Sequence, residues 1–120
     1  MIEVNNLTKR KIDEKFLKGL AKKVLKEENR EEVDLSIALV GRRRIKELNK
    51  KYRKKNEATD VLSFGAELNE VVICPAAIKI KKELARVLVH GILHILGYGH
   101  GEKMSEKQNK YLILWQNRIL

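Results

Sequence analysis

A chain with one cysteine cannot close an internal disulfide, and here Cys74 is alone. A disulfide-stapled secreted scaffold is excluded, and a fold held by its own core in a reducing compartment is expected. Cys74 closes the apolar run Val71-Val72-Ile73-Cys74, where a buried strand residue is expected rather than a nucleophile or ligand. Proline is as scarce: Pro75 is the only one, so no proline-rich linker divides the chain. Aromatic residues make up 5%, and no basic helix carries the exposed large aromatics of a membrane-surface segment. No apolar run approaches the roughly 20 residues needed to cross a bilayer. The opening MIEVNNLTKRK lacks the apolar stretch and cleavage site of a secretory signal. These absences predict a cytoplasmic protein, one domain over 1–120 with a single core. Glycine-rich phosphate loops are absent, and Ser63 in LSFG lacks the glycine-flanked elbow of a serine hydrolase.

Positive charge is what abounds. The chain has 26 Lys and Arg against 16 Asp and Glu, a net +10. So large an excess on so small a domain attracts polyanions, and nucleic acid is the expected partner.

Periodicity predicts an α+β fold, a small mixed sheet packed against helices. Residues 1–5 and 33–40 alternate as strands. Ile12, Phe16, Leu20 and Val24 recur every fourth residue and predict a helix over 13–28 with a lysine-rich outer face. After Gly41, a helix is expected to bury Ile45, Leu48 and Tyr52 and expose Arg42, Arg43, Arg44, Lys46, Lys50 and Lys51. The runs VLSFG and VVIC, separated by 66–70, look like a strand pair. A long apolar helix over 80–96 should be the central, most buried one. Ser105 and Gln108 resemble a capping box opening a last helix, which packs through Tyr111, Leu112, Trp115 and Ile119. Tyr111 and Trp115 are expected in the core, so no aromatic stands out as a base-stacking platform.

The three histidines all fall in His90-Gly-Ile-Leu-His94-Ile-Leu-Gly97-Tyr-Gly99-His100. Residues four apart on a helix differ by about 40° around its axis, so His90 and His94 point the same way. Gly97 supplies the conformation that ends the helix and lets the chain bring His100 back. Three imidazoles suit one tetrahedral Zn²⁺ with its fourth position left for water, which is the pattern of catalytic rather than structural sites. In the HExxH zinc peptidases a glutamate base follows the first histidine; here Gly91 stands in that position, which argues against peptide hydrolysis.

These residues resemble a known family. HGILHILGYGH is similar to the HGxLHLxGYDH signature of YbeY, a bacterial endoribonuclease family of ribosomal RNA maturation. LNKKYRKKNEATDVLSFG resembles its LNxxYRxxxxxTDVLSF segment, and EVVICP its GDIVIC strand. The likeness spans about 35–110. It implies a zinc-hydrolase-type α+β fold, one zinc ion on His90, His94 and His100, and cleavage of single-stranded RNA near the ribosome. It also implies a catalytic role for Arg53, which suits an arginine able to hold a phosphate bidentately. Arg42, Arg43, Arg44, Lys50, Lys51 and Lys54 would then track the RNA backbone. Thr59 and Asp60 match too, and a structural task in fixing the strand start is expected for them. Three positions depart from the family pattern: Gly99 replaces its aspartate, Asn69-Glu70 its Gly-Asp, and only 75–79 link Cys74 to the metal helix. A peptide metallohydrolase and a non-catalytic, zinc-stabilised ribosome module remain the alternatives.

Overall fold

The computed structural model describes residues 1–65 and 68–119, with side chains through 116. Strand β1 (Ile2–Asn6) leads into helix α1 (Glu14–Glu27), strand β2 (Leu35–Leu39) and helix α2 (Arg42–Arg53). Strands β3 (Val61–Phe64) and β4 (Glu70–Ile73) follow, then a 3-10 turn at Pro75–Ala77, helix α3 (Lys81–Ile95) and helix α4 (Glu102–Ile119). The sheet order is β1-β2-β4-β3. β1 pairs β2 and β2 pairs β4 in parallel, whereas β3 pairs β4 antiparallel at the edge. The mixed sheet and the β3–β4 pair are as the alternation predicts. Of the connector at 66–70, Ala66 and Glu67 lie outside the described residues, as does the side chain of Ile119.

The single core expected from the chain length is in fact two, because the period of two buries both faces of the sheet. Val4, Ile37, Val71 and Ile73 face α1, α3 and α4, forming the larger core with Leu17, Val24, Leu88, Ile92 and Tyr111. Ala38, Val72, Cys74 and Leu62 point the other way and are covered by Ile45 and, partly, Leu48 of α2. Cys74 is thus a buried core residue. α1 starts where Asp13 Oδ1 accepts from the Phe16 amide at 3.0 Å, a side-chain N-cap. α3 buries Ala85, Val87, Leu88, Val89, Gly91, Ile92 and Leu93, as expected of the central helix.

Two further expectations are corrected. α4 begins at Glu102, one turn before Ser105, so Ser105 and Gln108 lie inside the helix rather than capping it. Gln108 faces α3 instead, meeting His90. Tyr52 is not buried but 55% exposed. α2 buries Ile45 in its first half and Asn49 in its second, and its last turn lays Tyr52 against Phe64 of the edge strand β3.

Candidate active site

α3 ends in a Schellman turn. The Tyr98 amide donates to Leu93 O and the Gly97 amide to His94 O, each at 3.0 Å, with Gly97 at φ 102°. A side chain resists that φ, and the glycine accepts it. The reversed chain carries His100 back to the helix. Ring centroids lie 4.6 Å apart for His90–His94, 4.6 Å for His94–His100 and 5.5 Å for His90–His100. One ligand nitrogen from each ring falls within 4.8 Å of the others. The convergence expected from the spacing is present.

The donor chemistry tests whether a metal fits. His94 Nδ1 lies 3.1 Å from Tyr98 O, and a carbonyl can only accept, so Nδ1 carries the proton and Nε2 a lone pair. His90 Nδ1 lies 3.0 Å from Gln108 Oε1 and is oriented in the same sense. The two Nε2 atoms then face each other at 3.1 Å with no proton between them. Two lone pairs at that distance call for a cation. Tetrahedral zinc with Zn–N near 2.05 Å would set two nitrogens about 3.3 Å apart. The residues fit. Burial, then repulsion from His90 and His100 with a further part from Arg53, holds the His94 imidazole below its ordinary value, against the opposing Tyr98 bond. A neutral imidazole is the form that binds metal.

The ligand partners are themselves held. Glu28, the C-cap of α1, has a side chain only 6% exposed. It accepts from Tyr98 Oη at 2.6 Å and from Tyr111 Oη, and pairs with Lys107 Nζ at 3.1 Å. Burial raises its carboxyl, but the bonds from Tyr111, Tyr98 and Lys107 outweigh that and leave it below the ordinary carboxylate value. Burial and the Glu28 bond push the Tyr111 hydroxyl up. One carboxylate therefore ties the turn that orients His94 to the helix that orients His90.

The histidines open into a groove of about 760 Å³ lined also by Tyr52, Arg53, Thr59, Asp60, 61–65 and Leu68. Arg53, expected to act on phosphate, stands in this groove. Thr59 and Asp60 line it as well, beyond their expected structural task; the Asp60 carbonyl accepts from the Cys74 amide at 2.8 Å and so starts the β3–β4 pair. Arg42, Arg43, Arg44, Lys50, Lys51 and Lys54 are exposed but lie outside the groove lining. Arg42 donates to Ala76 O at 2.6 Å, and Arg44 pairs with Glu47 at 3.5 Å.

Glu28, Gln108 and Asn49 were not found by sequence reasoning. Asn49 is 1% exposed and its Nδ2 donates to Glu57 O at 2.9 Å, pinning the loop that presents Thr59 and Asp60. A polar residue at the i+4 position from Ile45, on a helix's apolar stripe, was the available signal. Gly99 is not required by packing: a Cβ there meets nothing within 4 Å.

Comparison with known proteins agrees with this geometry. The family model described as Endoribonuclease YbeY matches residues 3–116. The chain belongs to the YbeY family. A Sulfurihydrogenibium protein named Endoribonuclease YbeY is 38% identical over 128 residues, covering 92% of this chain and 83% of its own. The Aquifex aeolicus protein of that name is 37% identical over 131 residues, covering 95% and 86%. Both alignments are longer than the part of this chain they cover, so these YbeY relatives carry residues that this chain lacks. The solution structure of a Thermotoga maritima protein superimposes with a TM-score of 0.72 at 31% identity, covering 98% of this chain and 91% of that one.

Proposed function

We propose that this YbeY-family chain is a zinc-dependent endoribonuclease that cuts single-stranded RNA, acting on ribosomal RNA at the ribosome in the cytoplasm. The observation that carries the reading is three imidazole lone pairs and one guanidinium converging on one open groove, in a chain of net charge +10 whose relatives are named endoribonucleases.

His90, His94 and His100 would hold one zinc ion, which when bound supplies a Lewis acid and lowers the pKa of water. Arg53 binds the oxygens of the scissile phosphate and stabilises the charge that builds on them. Gln108 and the Tyr98 carbonyl keep the two helical imidazoles in the tautomer that leaves Nε2 free. Asp60 is the one carboxylate among the described groove residues and shares the groove with the Arg53 guanidinium. Outside the groove, the exposed cations at the end of α2, Lys50, Lys51 and Lys54, attract the backbone and position the strand.

Purified zinc-loaded protein should cut an unstructured RNA, stop after dialysis against a chelator and resume when zinc returns. Arg53→Ala should retain zinc and lose roughly 100- to 1000-fold in kcat/KM, the scale of a lost transition-state donor. Cutting that ignores the chelator, or that survives intact in His94→Ala, would sink the reading. Co-sedimentation with ribosomal subunits tests the ribosomal part on its own.

A further inference from the structure

The groove has a wall that neither metal nor phosphate chemistry explains. Tyr52 is 55% and Leu68 69% exposed, both on the groove lining. Phe64, the last residue of β3, meets the Tyr52 ring edge-on, with centroids 5.2 Å apart and planes at 74°. An edge-to-face neighbour steadies a ring and covers no more than one of its two faces. Lys51 Nζ lies over the Tyr52 ring, 5.2 Å from its centroid, an ammonium on a flexible stem that an arriving base can displace from that face. Arg53 follows Tyr52 directly in the chain and enters the same groove. A flat apolar surface and a cation able to hold a phosphate thus line one groove from consecutive residues. Peptide and lipid chemistry do not match this pair: a peptide lacks the anion at each repeat, and a lipid lacks the flat π-face.

We propose that Tyr52, braced by Phe64 and flanked by Leu68, is a stacking subsite for one unpaired nucleobase adjoining the phosphate held by Arg53. The subsite rests on the ribonuclease reading and deepens it. A base can reach the Tyr52 ring only when it is unstacked and out of its pair, so the subsite itself selects single strands. Every base has a π-face, so selection by sequence stays weak while selection by strandedness is strong.

The test measures binding of zinc-loaded protein to a short 2′-O-methyl oligoribonucleotide, single-stranded or annealed to its complement. Tyr52→Phe and Tyr52→Trp should bind the single strand as the parent does, and the new indole should be quenched on binding. Tyr52→Ala and Tyr52→Leu should weaken it roughly 5- to 150-fold, the range of one lost base–aromatic stack, with duplex binding unchanged. Because Tyr52 is largely exposed, all four should fold, with Tyr52→Ala and Tyr52→Leu giving up only the Phe64 contact and about a few degrees of thermal midpoint. Equal single-strand affinity for Tyr52→Ala, Tyr52→Leu and the parent overturns the subsite while RNA cutting by the parent keeps the ribonuclease reading. A parent that neither binds nor cuts RNA overturns both. Ring-dependent binding of an unstructured peptide in place of RNA also overturns the proposal.

Discussion

Gly91 lies so close to β4 that a Cβ on it would stand 2.8 Å from Val71 Cγ1 and 3.0 Å from Ser63 Oγ. Its carbonyl accepts from Ser63 Oγ at 3.2 Å, so α3 is seated on the sheet at the turn that carries His90. The glutamate that zinc peptidases hold in this position would here be driven into the sheet. Both the base and the space for it are missing.

Gly91→Ala should therefore lower stability although alanine is the better helix former. Propensity gains about 1 kcal/mol, but overpacking against a stiff, buried valine costs about 1–3 kcal/mol. Chemical denaturation should show a net loss, and Gly91→Glu should fail to reach the native fold. A Gly91→Ala protein more stable than the parent would contradict the close approach.

Zinc should stabilise the folded chain. At one hundred times its Kd, a ligand bound only by the folded state adds about 2.7 kcal/mol, enough to raise the thermal midpoint by several degrees. His100→Ala should bind zinc more weakly and lose most of that rise while keeping the helical circular dichroism signal. An unchanged rise in His100→Ala would remove the third ligand from the site.

Acid should loosen the Glu28 contacts. The Glu28 carboxyl lies below its ordinary value of 4.5 in the folded chain, so it protonates more readily when unfolded. Its contribution is complete above that ordinary value and disappears as pH falls through the lower folded value. Glu28→Gln should cost about 2 kcal/mol near neutrality, as for bonds to a charged group. It should also flatten the acid limb of the stability curve and weaken zinc binding. An acid limb identical to the parent's would show that Glu28 does not titrate in this way.

RNA affinity should fall with salt, and the slope reports which cations touch phosphate. Losing one phosphate contact to a single strand flattens log K against log salt by about 0.7. Lys51→Ala and Lys54→Asn, near Arg53, should each show that change; asparagine suits Lys54 because its φ is 58°. Arg44→Ala, whose partner is Glu47, should leave the slope alone. A slope lowered by Arg44→Ala and not by the others would move the RNA track to the start of α2.

The legible parts of this protein were those written locally. Helix α1, the alternating strands, the four-residue spacing of His90 and His94, and the glycine that turns back His100 all lie within short windows. What escaped depends on partners distant in sequence. Glu28 meets Tyr111 across 83 positions and His90 meets Gln108 across 18, and no local period encodes either contact. Tyr52 misled because a helical stripe shows which residues share a face, but not where the neighbouring sheet stops. Gln108 misled because a capping spacing and a ligand-orienting side chain look alike until the helix start is known.

The cluster able to hold a metal among the described residues ends at His100, yet α4 fixes the proton on His90 through Gln108 and fastens the preceding turn through Lys107 and Tyr111. Cleaving the backbone between His100 and Gln108 would leave all three imidazoles on one fragment but free the ring of the first to rotate. Metal affinity should then decay before helix α3 unravels, so zinc loss would be an early sign of damage at the far end of the polypeptide.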